Sequence, residues 1–304
     1  MTRDPVSRII GATDTPTGMK SVFDTLKTAE ATLERFAWLG DELAIAIWQR
    51  DGGNEETAYQ QPGHHTLSCY LDGGYQTERA TQPGVFGAPH RLCALPGDHD
   101  SRWRVPAPMR FMHIYFQPDH FTRRAVLELD REPRELTLAD RTYFEDPRMA
   151  SVCEALARSD WEHEDTRLQA NEAVHGLLST LLQTQSMRST VHAKGGLPVA
   201  TRRLLRDYVD AHLDQPLTLG RLAQLACLSE YHLARMFSIS FGMPPHAWIT
   251  QRRIDLAREL LRTTALPLEQ IAERCGYANP SHLSHRFRDL LKVSPGTFRQ
   301  ALRA

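Results

Sequence analysis

Two short segments near the C-terminal end carry polar side chains at the spacing of an exposed helix face. The outward positions are Tyr231, Ala234 and Arg235 in the first segment, and Ser281, His282, Ser284, His285 and Arg288 in the second. Arg, His and Ser can hydrogen-bond to base edges in the DNA major groove, and Ala can contact a thymine methyl group. The residue types therefore favour base recognition. Each arginine could instead contact a phosphate or remain solvated.

The same segments have an apolar face that would hold them against a preceding helix. Leu233 and Phe237 lie four residues apart, and the same pair of residue types recurs at Leu283 and Phe287. Residues four apart share one face of a helix, so the polar positions between them point the other way. The sequence therefore predicts two recognition helices, at about residues 229–241 and 280–291.

An internal repeat of about 50 residues surrounds these segments. The run that begins at Leu217 matches the run that begins at Leu266, and Pro245 matches Pro295. Each copy predicts a short helix, a tight turn and a second helix, which is a helix-turn-helix. A helix of about 17 residues between the copies would be roughly 25 Å long. With its flanks it could hold two recognition helices one DNA turn, about 34 Å, apart. From Pro198 onward the pattern predicts seven helices in all.

Charge divides the chain near the same place. Residues 197–304 contain 15 Lys and Arg against 9 Asp and Glu, a net charge of +6, whereas residues 1–196 contain 21 against 28, a net charge of −7. A basic region attached to an acidic one favours contact between the C-terminal part and a polyanion. Two ordinary domains with unrelated charges are the alternative.

Short apolar runs separated by Gly and Pro occupy the first part of the chain. They lie at residues 43–48, 66–71, 91–95 and 111–116. Such runs predict an antiparallel sandwich or barrel. We therefore expect a multidomain protein with a mainly-β N-terminal region and an all-α C-terminal region. Before the strands, helical spacing predicts a helix that carries Met19, Val22, Phe23, Leu26, Leu33 and Phe36.

Helical spacing returns after the β region. Helices are predicted at residues 147–156 and 168–185, and the second has a continuous apolar stripe that could pack on its own sheet or form a dimer contact. Residues 186–196 have no periodicity and end in a Gly pair, which is typical of a linker. The predicted domains are therefore residues 1–185 and 197–304, with a linker at 186–196.

Five histidines in the β region raise the alternative of a metal enzyme, because imidazole is a common metal ligand. They are His64, His65, His90, His99 and His113. His64 and His65 are adjacent and would face opposite sides of a strand, and the next glutamate is Glu78. We therefore expect no metal ion and no cofactor. No Ser-His-Asp arrangement or phosphate-binding glycine loop stands out, so we expect no enzymatic activity.

The cysteines and apolar runs bear on the cellular compartment. Five cysteines are scattered along the chain without a CxxC pair, which is typical of free thiols in a reducing cytosol. No apolar run approaches the roughly 18 residues of a membrane span. Residues 1–5 contain no apolar segment typical of a secretion signal. We expect a cytoplasmic, nucleoid-associated protein with no membrane partner.

The stretch from Leu217 to Arg299 resembles the DNA-binding domain of the AraC/XylS family of bacterial transcription regulators. The first copy matches at Leu219-x-x-Leu222-Ala223 and at Leu228-Ser229-x-x-His232-Leu233-x-Arg235-x-Phe237. The intervening match is Gly242-Met243-x-Pro245-x-x-Trp248-Ile249, followed by Arg252-Arg253-Ile254-x-x-Ala257-x-x-Leu260-Leu261. The second copy matches from Ile271-Ala272-x-x-Cys275-Gly276-Tyr277 through Pro280-Ser281-His282-Leu283-Ser284-His285-x-Phe287-Arg288 to Ser294-Pro295-x-x-Phe298-Arg299.

This resemblance implies a seven-helix domain that contacts two adjacent major grooves of double-stranded DNA. By position it implies base contacts at Tyr231, Ala234, Arg235, Ser281, His282, Ser284 and His285. The sequence departs from the family pattern at two of these positions. Ala234 stands where a longer polar side chain is common, and His285 stands where Arg is common.

The N-terminal part is similar to the cupin-like sensor and dimerisation domain of many such regulators. The matching segments are His65-x-Leu67-Ser68-x-Tyr70-Leu71-x-Gly73-Gly74, Leu95-Pro96-Gly97-x-His99 and His113-Ile114-Tyr115-Phe116-x-Pro118. The resemblance implies a small-molecule effector and a homodimer, with RNA polymerase as a partner if the protein is an activator. Candidate effector-binding residues at inward strand positions are Tyr70, Trp103, His113 and Tyr115.

Three hypotheses remain open at this point. The protein is a ligand-responsive transcription regulator, or a regulator whose barrel only dimerises or docks another protein, or a metal-dependent cupin enzyme with an accessory DNA-binding domain. Effector titrations with and without DNA separate the first two hypotheses, and metal analysis of the purified protein tests the third.

Overall fold

The computed structural model describes residues 19–53, 56–131, 136–188 and 195–302. They divide into two compact units. The β-rich unit contains the described residues up to Pro118 and Leu138–Met187, and the helical unit contains the segment 119–137 and the residues from Arg188 onward. The segment 119–137 thus groups with the C-terminal helices, although it lies inside the predicted N-terminal domain. Of the predicted linker, residues 189–194 lie outside the described residues.

The described part of the chain forms three sheets, of six, three and two strands. The strands are β1 Thr32–Gly40, β2 Leu43–Arg50, β3 Glu56–Gln60, β4 His65–Gly73, β5 Glu78–Arg79, β6 Leu92–Leu95, β7 Asp100–Arg104, β8 Met109–Phe116, β9 Leu136–Leu138, β10 Arg141–Phe144 and β11 Ser186–Arg188. One sheet has the order β1-β2-β8-β4-β6-β10, a second has the order β3-β7-β5, and β9 pairs with β11. Within the described residues these sheets do not close into a barrel, so a β-rich region is present and the expected cupin-like barrel is not confirmed.

The predicted N-terminal helix is shorter than its apolar spacing indicates. Helix α1 spans Met19–Thr28, whereas Leu33 and Phe36 lie on β1. The register of β1 against β2 shifts between Leu33 and Arg35. Such a bulge adds one residue to a strand, so residues three apart can face the same side. Leu33 and Phe36 both pack on the core of the β-rich unit, and their spacing therefore imitated a helix.

Two helices complete the β-rich unit close to their predicted positions. Helix α3 spans Pro147–Arg158 and α4 spans Glu164–Gln185. Asp146 caps α3 by accepting hydrogen bonds from two backbone amides of its first turn. The apolar stripe of α4 is buried within the chain, and the side chain of Asn171 on this helix donates to the carbonyl of Leu39 on β1. The stripe therefore packs on its own unit, while a dimer contact stays a prediction.

All seven predicted C-terminal helices are present in the helical unit. They are α5 Val199–Ala211, α6 Leu219–Leu225, α7 Glu230–Phe241, α8 Pro245–Thr263, α9 Leu268–Arg274, α10 Pro280–Leu291 and α11 Pro295–Ala301. The core around the first copy contains Leu205, Leu222, Phe237 and Trp248. An eighth helix, α2 (Pro118–Leu129), contributes Val126 to the same core. Among the described residues, none of the helices has the combined length and apolar character that a membrane crossing requires.

The two helix-turn-helix copies turn in the same way but with different residues. In the first copy Cys227 has φ +54°, and in the second Gly276 has φ +68°. In both, the residue after the turn donates its amide back to a carbonyl five residues earlier, from Leu228 to Ala223 and from Tyr277 to Ala272. This is the hydrogen-bond pattern of a helix that ends in a left-handed residue, a position that favours glycine.

The turn geometry predicts opposite effects of substitutions at the two positions. Cys227→Gly should raise the free energy of unfolding by about 0.5–1 kcal/mol, because glycine adopts the left-handed conformation without strain. Gly276→Ala should lower it by about 2 kcal/mol, because an alanine is strained at this φ and its Cβ would clash with the carbonyl oxygen of Leu213. Urea unfolding measures both changes.

Cys227→Ala is the matched control for the first substitution. It removes the thiol but keeps a Cβ at the left-handed position, so no gain in the free energy of unfolding is expected. An equal gain from Cys227→Ala and Cys227→Gly would contradict the backbone explanation.

Candidate nucleic-acid interface and ligand cavity

Helix α7 is fixed by its cap and by its apolar face. The Ser229 hydroxyl accepts a hydrogen bond from the His232 amide at 3.2 Å, and Gly242 ends the helix with φ +76°. Leu233 and Phe237 are fully buried. The Phe237 ring stacks on Phe241 with 3.9 Å between centroids. The burial of this face determines which side of α7 is exposed.

The opposite face of α7 carries the first predicted DNA contacts. Tyr231 is 81% exposed, more than any other large apolar or aromatic residue that the structure describes. Arg235 is exposed and makes no hydrogen bond or ion pair to any described residue. Ala234 is half-buried, and its carbonyl accepts a hydrogen bond from the Ser238 hydroxyl at 2.8 Å. An exposed arginine beside an exposed aromatic ring leaves this face available for a polyanionic partner.

Helix α10 repeats the arrangement in the second copy. The Asn279 side chain accepts a hydrogen bond from the His282 amide at 2.8 Å, and Pro280 occupies the first turn, where no amide hydrogen is needed. Leu283 and Phe287 are fully buried. The apolar contacts therefore orient both helices in the same manner.

The outer face of α10 brings the second set of predicted residues together. Ser281, His282, His285 and Arg288 are exposed and Ser284 is half-buried. Two of these side chains already have neighbours in the protein. His285 Nε2 lies 3.4 Å from a carboxylate oxygen of Asp289, and the His282 ring lies edge-on to Tyr277 at 5.2 Å. Both histidines nevertheless keep exposed ring atoms, so each can still contact a DNA partner.

Helix α8 connects the two copies and sets the length between them. It has 19 residues, and at 1.5 Å per residue it is about 28 Å long. Trp248, Ile254, Ala257 and Leu261 are buried along one side. Arg252 Nε donates to Asp210 of α5 at 2.8 Å, which ties the outer side of α8 to the first helix of the domain.

Several arginines of the helical unit serve its fold rather than its exposed surface. Arg253 donates to the carbonyls of Leu213 and Gln215, at 3.0 and 2.7 Å. Arg206 donates to Asp130 at 2.6 Å, and Arg203 also donates to this carboxylate. Burial raises the pKa of Asp130, but the two arginines outweigh that effect and leave the pKa below its usual value. The excess basic charge of the region is therefore only partly available to DNA.

The β-rich unit contains a cavity of about 60 Å³. Its walls combine apolar side chains with polar ones that can fix the orientation of a small molecule. The polar and aromatic lining residues are Arg50, Thr57, Tyr59, Thr66, Ser68, Tyr70, Thr77, His99, Trp103, Phe111 and His113. Of the four predicted effector-binding residues, Tyr70, Trp103 and His113 line this cavity.

Tyr115 lies behind the cavity wall and does not line it. Its hydroxyl accepts a hydrogen bond from Trp48 Nε1 at 3.1 Å and lies 3.0 Å from His113 Nδ1. Tyr115 therefore orients a lining residue from the core.

Burial controls the protonation of the groups around the cavity. It lowers the pKa of His113 to about 3, with smaller contributions from the nearby His64 and His99, so His113 is neutral at physiological pH. Burial also lowers the pKa of His99 and that of Arg50, and it raises the pKa of Tyr70. Because the pKa of an arginine starts so high, Arg50 remains the cation of this lining.

Arg50 and His99 were not among the predicted ligand-binding residues. Arg50 ends β2, two positions after the buried Trp48, and residues two apart on a strand face the same side. That alternation could have indicated an inward arginine. His99 lies just before β7, and nothing in its local pattern indicates that it lines the cavity. Among the described residues, no group of three or more His, Cys, Asp or Glu is placed to hold a metal ion.

Comparisons with known proteins find a family match within the helical unit. Residues 222–301 match a family described as a helix-turn-helix domain. Regulatory protein SoxS of Salmonella typhimurium is 35% identical over 98 residues, which cover 32% of this chain and 92% of SoxS. The chain belongs to the AraC/XylS family.

Two further comparisons involve other regulators. The probable transcriptional regulator LumQ of Photobacterium leiognathi is 27% identical over 163 residues, which cover 53% of this chain and 64% of LumQ. The match thus spans less than two thirds of LumQ. The solved C-terminal domain of AraT, a response regulator from Geobacillus stearothermophilus, is 35% identical, with 34% of this chain and 86% of that chain covered and a TM-score of 0.32.

The exposed face of α7 in this AraC/XylS-family protein predicts a specific role for Arg235. Arg235→Ala should weaken binding to the preferred DNA site by about 1–3 kcal/mol and relax the preference at one base pair. A fluorescence-anisotropy titration against the preferred site and its single-base variants measures both effects.

Arg262→Ala is the matched control for Arg235→Ala. Arg262 is an exposed arginine in the last turn of α8, so it belongs to neither recognition helix, and it pairs with Glu259. We expect it to leave the base preference unchanged. Equal weakening of all sequences by Arg235→Ala would show that Arg235 contacts a phosphate instead of a base.

Proposed function

We propose that this protein is a sequence-specific DNA-binding transcription regulator in which α7 and α10 enter neighbouring major grooves. The observation that carries the proposal is the repeated orientation of the two helices. In each, a Leu–Phe pair is fully buried and the polar face on the opposite side of the helix is exposed. A helix held in this way can insert its polar face into a major groove.

The proposed contacts follow from the side chains on each helix. Arg235 has the donors for a bidentate contact with guanine, and Ala234 can contact a thymine methyl group. On α10, His285 can donate to guanine N7, and Ser281, His282 and Ser284 offer further hydrogen bonds. Arg288, in the last turn of α10, and Tyr231, in the first turn of α7, fit contacts with the phosphate backbone or the groove wall.

The salt dependence of binding tests the phosphate contacts. Each phosphate that a Lys or Arg neutralises releases counterions, so the logarithm of the binding constant should fall linearly with the logarithm of the salt concentration. Arg288→Ala should reduce the slope by about 1, with equal effects on all DNA sequences. Anisotropy titrations at several salt concentrations give the slope, and a flat response would contradict the proposal.

The arrangement of the two helices is tested by selecting DNA sites from a random library. The full chain should select a site in two parts, with centres about 10 base pairs apart. Arg235→Ala should change the preference in one part only, and His285→Ala in the other part only. A change in the same part for both variants, or a site with one part, would contradict the proposed geometry.

We also propose that the β-rich unit is a cupin-like sensor that changes DNA occupancy when an effector binds in its cavity. Met109, Phe111 and His113 line the cavity from β8. One residue, Gln117, separates β8 from α2, and Val126 of α2 packs into the core of the helical unit. A change at the cavity wall can therefore pass along the backbone into the DNA-binding unit.

The proposal involves one small molecule and three macromolecular partners. They are double-stranded DNA of the nucleoid, a small-molecule effector, a second copy of the chain, and RNA polymerase if the protein is an activator. The effector role is supported by the cavity and by the position of α2. In a regulator without an effector, the affinity for the selected site would be independent of every compound that binds the β-rich unit.

A further inference from the structure

Arg50 is a buried cation that lacks a carboxylate partner among the described residues. Its side chain is at the cavity wall and the residue is only 6% exposed. One guanidinium nitrogen, Nη1, donates to the Thr57 hydroxyl at 2.6 Å. Within the described part of the chain, this is the only hydrogen bond of the Arg50 side chain. The carboxylate whose charge acts on it, Glu30, is exposed and forms no ion pair with it. A buried charge without a counterion is costly, so an anion in the cavity would stabilise it.

Two histidines add neutral hydrogen-bonding groups of opposite kind to the same cavity. His99 Nδ1 lies 2.6 Å from the carbonyl of Pro96, and because a carbonyl only accepts, Nδ1 carries the proton. His99 Nε2 is therefore a bare acceptor, and it is buried without a partner among the described residues. The residue as a whole is 7% exposed. An unpaired buried acceptor favours a ligand that brings a hydroxyl or amide hydrogen.

His113 presents the complementary group. Trp48 donates to the Tyr115 hydroxyl, and that hydroxyl in turn has His113 Nδ1 within reach at 3.0 Å. Because the hydroxyl already accepts from Trp48, we assign its own hydrogen to Nδ1, which places the proton of the neutral His113 ring on Nε2. His113 thus offers a donor at the cavity wall, in addition to the guanidinium of Arg50.

We propose that the cavity binds a short hydroxycarboxylic acid, with the carboxylate paired to Arg50, assisted by the His113 donor, and the hydroxyl hydrogen donated to His99 Nε2. Arginine binds carboxylates through charge-assisted and often bidentate hydrogen bonds. The apolar wall formed by Val22, Leu95 and Val105 suits the alkyl part of the ligand. This inference rests on the effector role proposed above for the cavity.

The size of the cavity limits the ligand to a short chain. Its volume is about 60 Å³, and at 10–15 Å³ for each water-sized group it accommodates about four to six such groups. Because covalently bonded atoms lie closer together than separate water-sized groups, an acid of six or seven non-hydrogen atoms occupies about the space of four to six such groups. We therefore take 2-hydroxybutanoate and 3-hydroxybutanoate as probes, since the two differ only in the distance between the carboxylate and the hydroxyl group.

Calorimetry on the full chain without DNA tests the ligand class. At least one hydroxybutanoate should bind with one molecule per chain. Its amide, which has the same shape but no charge, should bind about 10–100-fold more weakly, and butanoate, which lacks the hydroxyl, about five-fold more weakly. The proposal is overturned if neither acid binds or if the amide binds as tightly as the acid.

Variants assign the charge to Arg50. Arg50→Met should remove the preference for acid over amide, while Arg50→Lys should keep part of it because the positive charge remains. Arg104→Met is the matched control, since Arg104 is an exposed arginine of β7 that pairs with Glu56 and Glu78 and does not line the cavity. It should leave both affinities unchanged. An acid preference that survives in Arg50→Met would overturn the assignment.

A second variant keeps the proposal testable if Arg50→Met does not fold. His99→Phe keeps a ring at the cavity wall and removes the acceptor, so the hydroxybutanoate should then bind no more tightly than butanoate. A retained hydroxyl preference in this variant would overturn the role of His99. Circular dichroism and thermal unfolding establish that each variant is folded.

The same compounds separate this inference from the effector role. Calorimetry reports occupancy of the cavity, whereas anisotropy on the selected DNA site reports the response. If the acid binds but the DNA affinity stays constant, the effector role fails and the ligand class stands. If the amide binds as tightly as the acid and also changes the DNA affinity, the ligand class fails and the effector role stands.

Discussion

The burial of one Leu–Phe pair on each recognition helix is the constraint on which the DNA-binding surface depends. Leu233 and Phe237 on α7, and Leu283 and Phe287 on α10, are fully buried. A helix whose apolar stripe is buried cannot rotate about its axis without exposing that stripe to water, at a cost of about 1.5–3 kcal/mol for each side chain. The rotation of each helix is therefore fixed before DNA is met. The exposed positions, including Arg235 and His285, follow from that rotation and from the caps that set where each helix begins.

The helical unit could be predicted from sequence because its determinants are local. Helical spacing, caps such as Ser229 and Asn279, and the repeat of about 50 residues all act within short segments of the chain. The β-rich unit depends instead on pairing between distant strands. A single bulge between Leu33 and Arg35 was enough to imitate helical spacing. The cavity residues Arg50 and His99 come together only through the sheets, so the sequence predicted three lining residues but not the cation among them.

The net charge of the C-terminal region is a poor guide to which of its arginines are available to a polyanionic partner. The excess of basic residues in the C-terminal third favoured a polyanionic partner, yet Arg206, Arg252 and Arg253 are engaged within the unit by carboxylates or carbonyls. Those arginines hold α2, α5 and α8 together. The arginine that is exposed on α7 without a partner among the described residues is a more specific indication of DNA binding than the total charge. Charge counts are thus informative only once internal ion pairs are known.

The two recognition helices depend on the burial of their Leu–Phe pairs, whereas the cavity depends on the pairing of distant strands. The central claim concerns the helices. Methylation interference on the selected DNA site tests it most directly, since methylation of guanine N7 blocks the major groove and methylation of adenine N3 blocks the minor groove. Two clusters of guanine N7 interference, about 10 base pairs apart on one face of the duplex, are predicted. A single cluster, or interference confined to adenine N3, would contradict the insertion of α7 and α10 into neighbouring major grooves.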